Sequence, residues 1–397
     1  MKAFTFVLFT NTYNPHMLAL ADELFALLGN NFVFLSHEKE VNNERKKLGW
    51  TSRTAPYVSY YSDNVVANQA LIDNADIVYF GANPNLFSCI QNRIYQGKIT
   101  YFHMERILKH GIVQTLIPKY RKYFIEQRIK PSKLSNVYFL ACSSYLKEDL
   151  ERIGANTLRT YVFGYFPVFT DLNAKEVLSN KSSNSRGQFV FLTGGRMLNW
   201  KHFDDVIRAF AAMLKNIECR KYPTDCILKI AGNGKQESSL RRLVNKLCLS
   251  EYVEFLGSLS PELMRDEMIN ADVFIASSDK REGWGVVVNE SMNSCCAVIA
   301  TKEMGSVPFL IANNRNGLIF KSGDIKDLSK KMSRLFFDRD FKHEISLNAY
   351  KTIDRLWNPG VAANRLVSFS WQLLSGNPIT YDFGPLSKQG KTDDKLY

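Results

Sequence analysis

The chain has 397 residues, which is enough for two or three domains that each bury a core. Hydrophobic residues make up 45% of it and charged residues 23%, a globular composition that excludes a disordered chain, and no apolar run approaches the length of a membrane span. The formal net charge of +12 requires an explanation, while the seven cysteines, odd in number and never in a CxxC spacing, argue against a disulfide framework or a zinc site.

Short apolar runs alternate with helix-like runs along the chain, twice over. The runs that predict buried strands are 3–9, 32–35, 76–80, 99–102, 137–141 and 158–162, then 188–193, 226–231, 252–255, 272–276, 297–300 and 317–320. Because strands that alternate with helices form parallel sheets with right-handed crossovers, the fold class is α/β with two Rossmann-like domains. The first run ends at polar Thr10 and favours a strand over a secretory signal, so we expect a cytoplasmic protein.

Domain boundaries are predicted where this pattern breaks, at a polar stretch from 179 to 187. We expect a first domain over 1–170, a linker over 171–187, a second domain over 188–355, a helical segment over 356–376 and a mobile tail over 377–397. Near the start, Asn14 as cap and Pro15 at the first helical position predict a helix that runs to Leu28.

The positive charge is concentrated between residues 93 and 133. Ten basic residues and two acidic ones, with apolar side chains between them, give this segment a net charge of +8. The basic residues are Arg93, Lys98, Arg106, Lys109, Lys119, Arg121, Lys122, Arg128, Lys130 and Lys133. Anionic lipid attracts such a surface at about 1 kcal/mol per cation, so we expect a peripheral contact with the inner face of the cytoplasmic membrane. A solvated helix face is the alternative, and we expect no nucleic acid because no nucleic-acid module is present.

Two glutamates, Glu282 and Glu290, flank a turn that contains Gly283 and Gly285. Glycines free backbone N–H groups where a helix can begin, and a helix N-terminus binds anions. Carboxylates accept hydrogen bonds from vicinal hydroxyls, so the pair predicts a sugar-nucleotide site in which backbone donors hold the diphosphate. The alternative is two surface carboxylates beside a glycine-rich turn.

Earlier in the chain, two cations are expected between a predicted strand and the helix that follows it. Arg196 follows the predicted strand 188–193, and Lys201 precedes a helix-like run over 202–215. They would stand at the carboxyl end of a strand, where ligands of open α/β sheets bind. Because two fixed cations can neutralise a diphosphate leaving group, we expect neither a metal ion nor a cofactor.

Taken in order, the motifs of the second half resemble the retaining glycosyltransferases of family 4, also called glycosyl transferases group 1, over residues 188–320. These motifs are Gly194-Gly195-Arg196 with Lys201, 228–234, 253–257, 272–277, the glutamate pair, and 305–308. The resemblance implies the GT-B architecture, in which two Rossmann-like domains face each other across a cleft and C-terminal helices pack back toward the first domain.

The resemblance also implies roles on the donor side. Arg196 and Lys201 would hold the diphosphate of a nucleotide-sugar donor, Glu282 the donor sugar and Glu290 the ribose. Other donor-binding residues are expected in the turns beside them, namely Gly195, Gly232, Asn233, Gly234, Phe255, Gly283, Trp284 and Gly285.

Segments 98–106 and 163–167 resemble the branch of the family that builds bacterial capsular and other surface polysaccharides. His103, Glu105 and Arg106 follow the predicted strand 99–102 and are the expected acceptor side, with a salt bridge or cap as the alternative. The catalytic candidates are His103, Glu105, Arg196, Lys201 and Glu282. The implied reaction transfers a sugar, with retained configuration, to a hydroxyl of a glycan or lipid-linked acceptor.

Other functions are compatible with the same architecture. A sugar-nucleotide epimerase would bind the same donor and use no acceptor, and a phosphorylase would need a pyridoxal phosphate lysine in a much longer chain. A non-catalytic membrane or nucleic-acid binder that uses the basic segment is the alternative from a different class.

Overall fold

The computed structural model describes residues 4–13, 15–39, 55–183, 188–219, 225–377 and 379–390. The chain divides into two compact units, one formed by Met1–Phe169 with Leu356–Lys395 and the other by Thr170–Arg355. The predicted cap Asn14, the end of the predicted linker and the last seven residues of the predicted tail lie outside the described residues.

In the described part of the first unit, seven strands form one parallel sheet in the order β3-β2-β1-β4-β5-β6-β7. They are β1 Phe6–Thr10, β2 Phe32–Ser36, β3 Val58–Tyr60, β4 Ile77–Phe80, β5 Thr100–Met104, β6 Val137–Ala141 and β7 Thr160–Val162. The central strands are buried along their whole length, since parallel sheets are covered on both faces.

Helices connect these strands as crossovers. They are α1 Pro15–Leu28, α2 Val65–Asn74, α3 Phe87–Tyr95, α4 Pro118–Phe124, α5 Lys130–Ser132 and α6 Leu146–Arg152. A 3-10 turn, Ile112–Leu116, precedes α4, and one turn of π-helix, Ile125–Ile129, joins α4 to α5.

The second unit has the same design. Its described strands form a six-stranded parallel sheet in the order β10-β9-β8-β11-β12-β13. They are β8 Phe189–Gly194, β9 Cys226–Ala231, β10 Val253–Gly257, β11 Val273–Ala276, β12 Ala297–Thr301 and β13 Leu318–Phe320. The helices are α7 Ala174–Ser183, α8 Phe203–Cys219, α9 Glu237–Lys246, α10 Pro261–Asn270, α11 Val287–Asn293, α12 Val307–Leu310, α13 Ile325–Phe337 and α14 Arg339–Arg355.

The last helix, α15 Pro359–Leu374, returns to the first unit and packs against α1. The hydroxyls of Tyr101 on β5 and Ser370 on α15 are 2.8 Å apart in a buried hydrogen bond. The prediction that C-terminal helices pack back on the first domain is therefore confirmed, as is the α/β fold class with two Rossmann-like domains.

All twelve predicted strands are present, with ends that differ by up to three residues. The sequence pattern missed β3, because its residues Val58, Ser59 and Tyr60 are only partly buried at the edge of the sheet and do not form an apolar run.

The structure differs from the predicted linker, 171–187, because α7 occupies most of its described part. Lys181 on α7 is 9% exposed, and its Nζ donates to the carbonyls of Cys295 at 2.8 Å and Ser294 at 3.1 Å. These carbonyls belong to the turn that follows α11, so the buried lysine fixes α7 on the second unit.

The predicted mobile tail also differs from the structure in its described part. Leu386 is fully buried, and its backbone N–H donates to the carbonyl of Val162 at 2.7 Å. Gln389 is 3% exposed and donates through Nε2 to the carbonyl of Ser144 at 2.7 Å. The apolar side chain of Leu386 anchors a segment whose composition is otherwise polar.

Candidate functional site

The site of the second unit lies where the strand order of its sheet reverses. β8 has β9 on one side and β11 on the other, so the connections that leave β8 and β11 run in opposite directions. A crevice forms between such connections at the carboxyl ends of the strands, which is where open α/β sheets bind ligands. The predicted residues Gly195, Arg196 and Lys201 follow β8, and Glu282 follows β11.

Lys201 and Glu282 meet at this edge in an ion pair between Nζ and Oε2, with both side chains mostly buried. Ser278 also donates to Glu282, over 3.2 Å. Two hydrogen bonds join the loop after β8 to the loop after β11. Ser277 Oγ donates to the backbone carbonyl of Lys201 at 2.6 Å, and the backbone N–H of Asp279 donates to the backbone carbonyl of Trp200 at 2.9 Å. Two residues 81 positions apart are thus held in one fixed arrangement.

Glycines let the backbone turns after β8 and β9 approach each other. A Cβ on Gly232 would lie 2.0 Å from the carbonyl oxygen of Gly195, and one on Gly234 would lie 2.6 Å from that of Met197. Both glycines have positive φ, 115° and 150°. Asn233 accepts a 2.7 Å hydrogen bond from the backbone N–H of Met197 through its carbonyl. Only glycine fits these positions, so the two turns form one compact surface beside Lys201.

Arg196 is exposed, and within the described residues its guanidinium has no hydrogen-bond or ion-pair partner. Gly195 brings the same turn close to the ion pair, since a Cβ built on Gly195 would be 3.8 Å from Lys201 Nζ. The site therefore has one paired cation and one cation that can reach a ligand.

Buried side chains of the second unit pack against the turn before α11. Gly285 has φ 89°, and a Cβ there would lie 2.3 Å from Met304 Cε. Trp284 is 1% exposed, and its Nε1 donates to Asn289 Oδ1 at 2.8 Å, so the indole supports the turn. The helix begins at Val287, two residues after Gly285, so a helix does follow the glycine turn.

Glu290 lies on α11 and is partly buried. Burial raises the pKa of its carboxyl group, and the charge of Arg265 opposes that shift. Within the described residues, no hydrogen bond or ion pair joins Glu290 to Lys201 or Glu282, so the structure does not bring the two glutamates into contact.

Two further features of the second unit bear on the predicted donor residues. The ring of Phe255 packs against the core. The guanidinium of Arg241 lies over this ring, with its Cζ 4.3 Å from the ring centroid. A cavity of about 500 Å³ beside α8 and α9 includes Asn199, His202 and Arg242, and none of the predicted donor residues line it.

His202 was missed by the sequence analysis, although it directly precedes α8. It has φ 52°, and its ring nitrogens lie 3.3 Å from carboxylate oxygens of Asp205 and Asp279. The hydrogen bond to Asp205 raises the pKa of His202, burial opposes the rise, and Asp279 adds to it. The available signal was the position of Asp279, a polar residue three positions after the end of β11.

His202, Asp204 and Asp205 offer three ligand atoms within 4.8 Å of one another, so we tested whether they suit a metal ion. A histidine binds a metal through a free lone pair on a neutral ring. Both nitrogens of His202 face carboxylates, which favours the protonated ring, so the group does not fit a metal ion.

The predicted acceptor residues line a second cavity of about 500 Å³, within the first unit at the carboxyl ends of β4 and β5. Burial lowers the pKa of His103 to about 3, and its Nε2 lies 3.0 Å from the carbonyl oxygen of Gly164. The ring is therefore neutral. Nε2 contacts Cys142 Sγ as well as Gly164, and because the Gly164 carbonyl can only accept, its hydrogen bond places the proton on Nε2. Glu105 pairs with Lys109 at 2.6 Å, and Arg106 with Asp149 at 3.2 Å.

The basic segment is less exposed than its sequence suggested. Arg93 is fully buried and donates to the carbonyls of Ala75 and Ile99 at 3.1 and 2.7 Å. Arg128 is 1% exposed, so neither guanidinium can contribute to a surface charge. The membrane prediction therefore rests on the remaining cations.

The fold and the site define a class of protein. Each unit is a parallel-sheet α/β domain of the Rossmann-like kind, and the second carries cations and glycine turns at its switch point, which suits a phosphate-bearing ligand. Residues 174–352 match the family described as Glycosyl transferases group 1. The resemblance is confirmed, and this unit is a glycosyl transferases group 1 domain.

Individual relatives are distant. N-acetyl-alpha-D-glucosaminyl L-malate synthase of Bacillus anthracis is 23% identical over 284 residues, 71% of this chain and 61% of that protein. Matches to four curated relatives span 14% to 61% of their lengths. Anabaena HepE in complex with UDP gives a TM-score of 0.67 at 16% identity, over 94% of this chain and all of that one. WaaG, a glycosyltransferase involved in lipopolysaccharide biosynthesis, gives a TM-score of 0.61 at 15% identity, over 90% of this chain and 98% of that one. These likenesses establish the fold.

Proposed function

We propose that the protein is a retaining glycosyltransferase that moves a sugar from a nucleotide diphosphate donor to a hydroxyl of a glycan or lipid-linked acceptor. The observation that carries the proposal is the ion pair of Lys201 and Glu282 at the switch point of the second unit. Retention, the nucleotide-sugar donor and a role in bacterial surface polysaccharides rest on the family resemblance. The binding of UDP by HepE, a protein of the same fold, supports the donor class.

The donor side stabilises the charge that develops as the nucleoside diphosphate leaves. Lys201 is fixed by Glu282, whereas Arg196 is free to bind the diphosphate, and preorganised cations are effective at such a position. Glu282 keeps acceptor capacity for sugar hydroxyls because a carboxylate offers about four lone-pair sites. Glu290 would hold the ribose. This division of labour requires no metal ion.

The acceptor would bind in the cavity of the first unit that His103, Glu105 and Arg106 line. His103 is a neutral ring whose Nε2 proton is engaged, which leaves Nδ1 as an acceptor for a hydroxyl. Glu105 is a second acceptor at the same cavity.

A membrane contact is part of the proposal. Beside the cavity, the turn Ile112–Leu116 and the start of α4 expose apolar side chains, of which Val113 is 65% and Leu116 is 78% exposed. The exposed cations on α4 are Lys119, Arg121 and Lys122. Apolar residues among cations suit an anionic bilayer surface. In the described ranges, no helix has both the length and the apolar character needed to cross a membrane.

A donor screen tests the function. Purified protein is incubated with UDP-, GDP- and ADP-sugars, and both nucleoside diphosphate release and the remaining sugar nucleotide are quantified. We expect release from one donor class, a slower release in Lys201→Gln, and a normal rate in Lys330→Gln, which removes an exposed charge from α13 of the same unit. Proton NMR of the first anomer formed tests retention. Conversion of the sugar nucleotide without diphosphate release would instead identify an epimerase.

A further inference from the structure

The cavity of the first unit has an unusual charge balance. Its cationic lining residues are Arg106, Lys109, Lys119 and Arg128. Glu105 is the acidic residue of the lining and is paired with Lys109, and Arg106 pairs with Asp149 outside the lining, so Lys119 and Arg128 are the cations left without a carboxylate partner among the described residues. The remaining positive charge faces a space of about 500 Å³, the size of a small-molecule site.

Arg128 is the central observation. It is 1% exposed, and its hydrogen bonds go to neutral groups: the carbonyls of Gln127 at 2.7 Å and Ala82 at 3.2 Å, and the hydroxyl of Tyr123 at 2.5 Å. Among the described residues, no carboxylate forms an ion pair with it. A buried charge that lacks an anionic partner is unfavourable, and burial lowers the pKa of this guanidinium accordingly. An anion in the cavity would compensate it.

Unpaired hydrogen-bond donors in the cavity lining also favour an anionic ligand. Arg128 Nε, Arg106 Nε and Gln114 Nε2 are buried and have no partner among the described residues. Each of these atoms can only donate. Buried polar groups in native proteins are normally satisfied, so three unpaired donors at one cavity favour a ligand rich in acceptor oxygens.

The backbone at Arg128 supports a functional role. Arg128 lies in the π-helical turn Ile125–Ile129, a geometry that occurs as an insertion within α-helices and is frequent at functional sites. Lys119 and Tyr120, the second and third residues of α4, also line the cavity.

We propose that this cavity binds a phosphate or phosphodiester group of the acceptor, so that the acceptor substrate is an anionic glycan or lipid-linked sugar. The proposal rests on the glycosyltransferase function and names its acceptor class. The four observations are the uncompensated charge of Arg128, the three unpaired donors, the excess of cations and the size of the cavity.

Calorimetry with a charged sugar and its neutral counterpart tests the proposal. Glucose 1-phosphate and methyl glucoside are titrated into the full-length protein with its nucleoside diphosphate present in excess, so that the donor site of the second unit is filled. We expect saturable binding of the phosphate and at least tenfold weaker binding of the neutral sugar. Equal affinities, or no binding of the phosphate, would overturn the proposal.

Three variants locate the phosphate. Arg128→Gln and the exposed Lys119→Gln should each weaken glucose 1-phosphate binding, Arg128→Gln by about tenfold, whereas Lys133→Gln, an exposed residue outside the lining, should not. Nucleoside diphosphate affinity should be normal in all three. If Arg128→Gln fails to fold, Lys119→Gln still decides, because its side chain is in solvent. Unchanged phosphate binding in the folded lining variants would contradict the proposal.

The same variants show whether the phosphate belongs to a lipid-linked or to a soluble acceptor. Binding of undecaprenyl phosphate in neutral vesicles is compared with binding of glucose 1-phosphate. Tighter, Arg128-dependent binding of the vesicles would identify a lipid-linked acceptor, and tighter binding of the soluble sugar would identify a soluble one. If the nucleoside diphosphate does not bind at all, the glycosyltransferase function fails separately from the phosphate site.

Discussion

Lys201 and Glu282 form an ion pair that joins the loop after β8 to the loop after β11. Because each side chain fixes the other, their effects on donor binding should not add. We expect Lys201→Gln and Glu282→Gln each to weaken nucleoside diphosphate binding by about 1.5 to 3 kcal/mol, with the double variant weaker by less than the sum. Calorimetry on the four proteins measures the coupling, with Lys330→Gln as the charge control. Full additivity would show that the pair acts as two independent residues.

The sequence placed Lys201 and Glu282 at one edge of the second sheet, where the structure pairs them, because the signals for that placement are local. Glycines, cations and carboxylates after apolar strands are visible in the chain, and the topology of parallel sheets brings them to one edge. The role of Trp284 was less accessible, since whether an indole faces a ligand or the core depends on its partner Asn289. The burial of Arg128 was also not predictable, because a π-helical turn has no sequence signature that we could recognise.

Gly232→Ala should disrupt the turn beside the ion pair. A Cβ at Gly232 would be 2.0 Å from the carbonyl oxygen of Gly195, a contact with backbone that no side-chain rotation can relieve. We expect a lower melting temperature and loss of nucleotide binding. Gly323→Ala is the matched control, since Gly323 also has positive φ, 84°, but open space around the added atom. A normal Gly232→Ala variant would mean that the two turns can separate without cost.

His202 should stabilise the protein more in acid than in base. Its pKa is raised in the folded state, chiefly by Asp205, so its stabilising effect is complete below the unfolded pKa of about 6.5 and is lost as the pH rises through the folded pKa. We expect His202→Asn, which tolerates the left-handed backbone, to lower the melting temperature more at pH 5.5 than at pH 9. Exposed His343→Asn is the control. An equal loss at both pH values would exclude the charged ring as the cause.

Turnover should persist in excess EDTA. In the proposed reaction, Arg196 and Lys201 supply the positive charge that a divalent ion supplies in metal-dependent enzymes, and the ring nitrogens of His202 are engaged by Asp205 and Asp279. We expect nucleoside diphosphate release within twofold of the untreated rate. Loss of activity that magnesium or manganese restores would contradict this, and Asp204→Asn would then show whether that carboxylate holds the ion.

The first unit should bind anionic vesicles through the exposed face of the turn Ile112–Leu116 and α4. Changing Lys119, Arg121 and Lys122 together to glutamine should reduce vesicle flotation, because each cation near an anionic surface contributes about 1 kcal/mol. Arg128 is left unchanged since it is buried. The attraction should also weaken with salt, which screens exposed charges over about 8 Å at physiological ionic strength.

Two further variants separate charge from insertion in this experiment. Val113→Ser with Leu116→Ser removes exposed apolar area without a change of charge, and it should reduce flotation at high salt more than the glutamine variant does. Glutamine at Lys215, Lys246 and Lys330 removes the same charge from exposed positions of the second unit and should leave flotation unchanged. Nucleotide affinity should be normal in every variant, because the proposed donor residues lie in the second unit. If the unaltered protein does not float with anionic vesicles even at low salt, the segment has no membrane role and its charge serves the acceptor alone.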